Sequence, residues 1–314
     1  MNNLIGNTPL IKINYKYKGI AKSTYVKLEH YNLTGSIKDR IIFNIIDKAK
    51  KENVLLEHMP IVEATSGNTG ISLSAIGAYY KHPVYIFMPN WVSKERIDIM
   101  KLYGANVTLV SKEEGGFQKC ISLAESFAME NNAFLTNQFN NIENILAHYE
   151  TTGKEIVDKI KVDKFISGIG TGGTLMGIAK RLKEKNLNTK IYALEPKSMS
   201  LIKERNIGTH KIEGIGDDFI PSIVDTNILE DSILIDDMDA INMSKKLAKE
   251  LGLGVGISSG ANFLGAALIS ENNENVATVF PDDLKKYLST DLNKYFIGSN
   301  YISNDIELIN YECI

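Results

Sequence analysis

Short apolar runs alternate with amphipathic stretches along most of the chain. Pro60 to Ala64, Val84 to Met88, Val107 to Val110, Lys164 to Ser167, Lys190 to Leu194 and Val276 to Phe280 have the length and apolar content of strands. Between them the spacing turns helical. From Gly116 to Asn131, the residues Cys120, Leu123, Ala124 and Phe127 recur at i, i+3, i+4 and i+7, which predicts one buried helix face. Arg96 to Tyr103 and Thr174 to Lys185 read the same way. Strands alternating with helices predict an α/β fold with mostly parallel sheets covered on both faces. After Thr290 the pattern fades, and the end of the chain is expected to pack or pair with something else.

Length and composition narrow the class without choosing a function. A chain of 314 residues, 44% of them hydrophobic, suits one large or two closely packed globular domains. A net charge of -3 with no basic block argues against nucleic acid or an acidic membrane as partner. The start lacks a basic stretch followed by an apolar core, so no secretory signal is expected. No apolar run approaches the ~20 residues that span a bilayer. Cys120 and Cys313 lie far apart, and the expected compartment is a reducing cytoplasm. His30, His58, His82, His148 and His210 are scattered without metal-ligand spacing, so they are read as packed or solvated, with no metal site. Cys120, on a helix's apolar face, reads as packing.

Three glycine-bearing turns could each hold an anion. Thr65 to Gly70 (TSGNTG) stands between a strand and a helix, where free backbone N–H groups and the helix dipole favour a phosphate or a carboxylate. Ordinary N-capping by Ser66 or Thr69 explains the same residues. Gly168 to Thr174 (GIGTGGT) lets the backbone come close to a bulky anion at the next helix N-terminus. Its Gly168, Gly170 and Gly173 also fit a dinucleotide fingerprint, with Glu195 at a strand end about 20 residues on, so a nicotinamide oxidoreductase competes. Leu253 to Ala261 (LGVGISSGA) could present the hydroxyls of Ser258 and Ser259, or merely cap a helix.

Upstream, Lys38 follows a Gly-Ser turn and opens an apolar helix, where the helix dipole disfavours a cation. A lysine set against that preference beside an anion-binding cleft fits Schiff-base chemistry, although most lysines are simply solvated. With IGNTPL, GSIKDR, TSGNTGI, GTGGTLMG, HKIEGIGDDFIP, GISSGA and YLST in this order, the chain resembles the cysteine synthase and cystathionine β-synthase family of pyridoxal-phosphate (PLP) enzymes, of the tryptophan-synthase-like fold type II.

The resemblance implies two three-layer α/β domains with the cofactor between them. A larger PLP-binding domain is expected over 1–37 and 139–300, a smaller mobile substrate-binding domain over 38–138, and a C-terminal segment over 301–314. It implies that Lys38 joins PLP as an internal aldimine and then removes the Cα proton. Gly170, Thr171, Gly172, Gly173 and Thr174 correspond to the phosphate loop, Asn68 to the partner of the cofactor's 3′ oxygen, and Ser258 to that of its pyridine nitrogen. Thr65, Ser66, Thr69 and Gln138 correspond to the substrate-carboxylate group. A serine at the ring nitrogen leaves it largely neutral, which favours prompt loss of a β-substituent through an α-aminoacrylate intermediate. A homodimer is also implied, whereas haem-binding and regulatory extensions are not expected.

The chain departs from its family at Leu33, at Ala64 and in PDDLKKYLST, and above all in GIGDDFIP. Cysteine synthases carry Ala-Gly at the positions of Asp217 and Asp218, and cystathionine β-synthases Tyr-Asp. A carboxylate ~5 Å from incoming sulfide would repel it by roughly 3 kcal/mol at an effective dielectric near 20. That is about a hundredfold in rate. The same carboxylate could deprotonate water or a thiol. Asp217 is therefore a candidate base for sulfide release from L-cysteine, giving L-serine or a thioether. The opposing reading leaves both aspartates in a solvated turn. Cysteine synthesis from O-acetyl-L-serine and cystathionine formation are alternatives, as is a catalytically inert binding partner.

Overall fold

A computed structural model describes residues 1, 3–294 and 301–314. Ile11, Ile13 and Tyr15 alternate with the less buried Lys12, Asn14 and Lys16, a period of two that makes β1 (Leu10–Tyr17) one-faced. It pairs antiparallel with β2 (Ile20–Leu28). Then follow α1 (Lys38–Lys51), β3 (Ile61–Ala64), α2 (Asn68–Tyr80), β4 (Val84–Pro89), α3 (Lys94–Leu102), β5 (Asn106–Val110), α4 (Gly116–Glu130) and β6 (Phe134–Leu135). Next, α5 (Ile142–Ala147) runs through one wide turn at His148–Gly153 into α6 (Lys154–Val157). The remaining elements are β7 (Lys164–Gly168), α7 (Gly173–Lys185), β8 (Lys190–Pro196), β9 (Asp231–Ile235), α8 (Asp237–Leu251), α9 (Ile257–Ile269), β10 (Val276–Phe280) and β11 (Ile306–Cys313).

These strands form two sheets. The larger has the order β11-β1-β2-β10-β7-β8-β9 and the smaller β5-β4-β3-β6. The smaller is parallel throughout, and the larger is parallel from β2 to β9. Each sheet separates two hydrophobic clusters, the layering expected when helices cover both faces. Helices α2 and α9 are buried over most of their circumference, as helices apolar all round must be. The expected strands and helices all form, with ends shifted by a few residues. The end of the chain is not a separate appendage, because β11 pairs antiparallel with β1 along the edge of the larger sheet. Among the described residues no helix is long and apolar enough to cross a membrane.

Candidate active site

In parallel sheets a ligand cleft opens at the carboxyl ends of the strands. Here a cleft of about 790 Å³ lies where the turns after β3 and β7 and the start of α9 converge, and it brings Lys38, Asn68, Gly172, Gln138, Asp217 and Ser258 together. Thr65, Ser66, Thr69, Gly170, Thr171 and Thr174 line it too. Gly173, the first residue of α7, continues the same turn.

Lys38 is the first residue of α1, and the two residues after it are anchored. The Asp39 carboxylate accepts from Thr34 N at 2.7 Å, Thr34 Oγ1 at 2.6 Å and Ser72 Oγ at 2.6 Å. Arg40 is buried against Glu29 (Nε to Oε2, 2.6 Å) and Glu155 (Nη1 to Oε1, 2.6 Å). The Lys38 amine reaches into the cleft and forms no ion pair among the described residues. Burial pushes its pKa down to about 8, against smaller opposite pulls from Asp217 and Asp282. This is the environment that frees a lysine for nucleophilic and base chemistry.

Capping does not explain the turns. Helix α2 starts after Gly67, α7 after Gly172 and α9 after Gly256, and none of the three receives a side-chain cap. Helix α8, by contrast, is capped by Asp236. The first N–H groups of three helices thus remain directed at one cleft. Thr69 Oγ1 is instead committed to Gln138 Oε1 at 2.6 Å. At the turn after β7 the glycines are required by space. Gly172 has φ +87°, and a Cβ there would overlap Val224, while one on Gly173 would overlap the Asn144 amide.

Both aspartates line the cleft, in different settings. Asp218 is exposed and accepts from Gln118 Nε2 at 3.1 Å. Asp217 turns into the cleft, where burial and then the charge of Asp218 push its pKa up to about 6, partly offset by Lys38. The Glu195 carboxylate is consumed by Ser200 Oγ, Ser232 Oγ and the N–H groups of Ile202 and Lys203, which leaves nothing for a ribose. The dinucleotide reading loses its acidic partner.

The family model described as pyridoxal-phosphate dependent enzyme matches residues 1–282. This chain belongs to that family. The enzyme is 37% identical over 295 residues to a cysteine synthase of Staphylococcus aureus, covering 92% of this chain and 95% of the relative. It is 35% identical to the cystathionine beta-synthase of Apis mellifera, covering 93% of this chain and 61% of that one. A hydrogen sulfide-producing enzyme from Fusobacterium nucleatum superposes with a TM-score of 0.95 at 46% identity, covering 100% of this chain and 98% of the other. An aspartate-to-asparagine variant of that enzyme has been crystallised with an α-aminoacrylate intermediate.

The residues present fit the cofactor. The uncapped α7 N-terminus with its glycine turn offers a phosphate cradle, and among the described residues no carboxylate pairs with the Lys38 amine and nothing partners the buried Asn68 Oδ1. Sequence reasoning missed the residues behind the cradle. Asn144 Nδ2 donates to Thr171 Oγ1 at 2.9 Å and to Gln138 O at 2.9 Å. His148 meets Thr174 Oγ1 through Nε2 at 3.1 Å and Thr152 Oγ1 through Nδ1 at 2.9 Å. Burial holds its pKa well below the usual histidine value, so it is a neutral bridge between those hydroxyls. Its exceptional wide turn carries no pattern that sequence inspection would flag.

Proposed function

We propose that this PLP enzyme releases sulfide from L-cysteine, with water as second nucleophile to give L-serine, or a thiol to give a thioether. The observation that carries the reading is Asp217, a carboxylate in the cleft beside Lys38 with its pKa raised to about 6. At neutral pH such a group is mostly ionised yet basic enough to take a proton from water.

Pyridoxal phosphate, when bound, supplies the electron sink that lets the Cα proton and the β-substituent of an amino acid depart. The phosphate would rest on Gly170 to Thr174, the 3′ oxygen on Asn68 and the ring nitrogen on Ser258. Thr65, Ser66, Thr69 and Gln138 would hold the α-carboxylate at the uncapped start of α2. The Lys38 amine takes the Cα proton and later returns it. As the Cβ–S bond breaks, sulfur leaves with its electron pair as sulfide. Asp217 then accepts a proton from water as the new Cβ–O bond forms, so L-cysteine and water become L-serine and sulfide. The same carboxylate repels incoming HS⁻, which disfavours the reverse use of sulfide. The captured intermediate in the asparagine variant of the Fusobacterium enzyme supports an aspartate acting after the β-substituent has left.

Cysteine synthesis from O-acetyl-L-serine and sulfide is the second reading, favoured by the names of the curated relatives. One experiment separates them. The holoenzyme is given L-cysteine alone, then O-acetyl-L-serine with sulfide, and products are identified for wild type and Asp217→Ala. The proposal expects sulfide and L-serine from the first mixture and a marked loss in the variant; an unchanged rate of sulfide release excludes Asp217 as base. A homodimer and a cytoplasmic location, the latter supported by two free cysteines, complete the proposal. Sedimentation of the purified protein tests the former.

A further inference from the structure

Arg96, on α3 of the smaller sheet unit, is among the most deeply buried large side chains of the protein, at 2% exposure. Its charge is met almost entirely from outside its own unit. The guanidinium pairs with Glu213, faces Asp282 Oδ2 at 3.7 Å and lies over the Tyr287 ring with 4.5 Å to the centroid. Ser93 Oγ accepts from Nη1 at 3.0 Å and itself donates to Lys286 O at 2.7 Å. A buried cation so surrounded cannot leave its partners without exposing an uncompensated charge.

Two residues of the TSGNTG turn rest on this group. A Cβ on Gly67 would overlap the Arg96 side chain, so only glycine lets the turn lie against it. Asn68 Nδ2 donates to Asp282 Oδ2 at 2.7 Å, the oxygen that also accepts from Tyr287 OH at 2.7 Å. On the far side, Glu213 belongs to the loop that carries Asp217. Gly214 and Gly216, at φ +93° and +74°, make the bends between them. That loop has further ties, Gly216 N to Ile169 O at 2.8 Å and His210 Nε2 with Gly216 O at 2.8 Å. From the smaller sheet unit it is also reached by Gln118 at the exposed Asp218, but among the described residues Arg96 is the buried tie that also touches the turn.

We propose that Arg96 is a positioning residue that couples the turn at 65–70 to the loop at 213–218, so that an amino-acid carboxylate seated in the turn orders the loop bearing Asp217. In naming Asp217 as the group delivered, the inference rests on the function proposed above, but the coupling itself does not. Because coupling between sites is reciprocal, a change at either segment must register at the other.

The test is amide hydrogen exchange on the holoenzyme with and without L-alanine, which has the α-carboxylate but no β-substituent to lose. In the wild type L-alanine should slow exchange about tenfold in both 65–70 and 213–218, within the usual range of coupling. In Glu213→Gln the response at 65–70 should persist while that at 213–218 disappears, and Arg96→Lys, if it folds, should behave alike. Joint protection retained in Glu213→Gln, or no response at 213–218 in the wild type, overturns the coupling. Asp217→Ala keeps the two failures apart, since it should retain joint protection while losing L-serine formation. Full L-serine formation in that variant sinks the role of Asp217 and leaves the coupling standing.

Discussion

Thr69 Oγ1 donates to Gln138 Oε1 at 2.6 Å, and Gln138 Nε2 donates to Ala64 O at 2.9 Å, so the amide is fixed from both ends. One side chain thereby joins the start of α2 to the segment after β6. Behind it the buried Glu63 carboxylate accepts from Gln138 N at 3.1 Å and Ala64 N at 2.7 Å. Gln138→Leu keeps the bulk and loses both hydrogen bonds. With a hydrogen bond to a charged group worth about 1.5–3 kcal/mol, KM for the amino acid should rise about 10- to 150-fold. In the proposed role the carboxylate is held alike in ground and transition states, so kcat should change much less. Steady-state kinetics with L-cysteine checks this.

Lys38 predicts a stability effect as well as a chemical one. Its amine has a pKa of about 8 when folded against the ordinary lysine value of 10.5, so the fold disfavours the cation. The penalty is fully present below about pH 8, fades between there and 10.5, and vanishes above. In cofactor-free protein, Lys38→Met should therefore be more stable than wild type at pH 7, by at most about 3 kcal/mol, and less so at pH 10. Urea unfolding at the two pH values measures it. In the holoenzyme, borohydride should fix the cofactor covalently to the wild-type peptide bearing Lys38 and not to the variant.

Asp217 predicts the pH dependence of the reaction with L-cysteine alone. A base with a pKa of about 6 loses its lone pair as pH falls through that value, so the rate should rise through pH 6 and level above it. Asp217→Asn should remove that acidic limb and lower the rate about a hundredfold. With O-acetyl-L-serine and sulfide the variant should do no worse than wild type, because the repulsion of HS⁻ is gone. A pH–rate profile with both substrate pairs decides this.

Gly173 tests the cradle. A methyl group there would overlap Asn144, the residue that also holds Thr171 and Gln138. Gly173→Ala must displace that amide or the turn, with a cost of roughly 1–3 kcal/mol, equivalent to weakening cofactor binding about 5- to 150-fold. Cofactor absorbance retained after dialysis reads the loss.

The sequence alone determined the alternation of strands and helices, because burial on both faces of a parallel sheet leaves a periodic mark in local composition. It also marked Lys38 and the turns at 65–70 and 168–174 as places where charge and backbone freedom collect. Strand β11 escaped because its mostly exposed residues carry little apolar pattern and its pairing with β1 spans almost the whole chain. Only the tertiary structure told Asp217 from Asp218, adjacent and chemically identical, since both line the cleft but Asp218 is exposed and held by Gln118 while Asp217 is the more covered and feels the charge of Lys38. Arg96, Asn144, His148 and Asp282 likewise became legible only once folded. Each acts through partners brought near by the fold, Asn68 and Asp282 being 214 residues apart, and no local pattern encodes such a pairing.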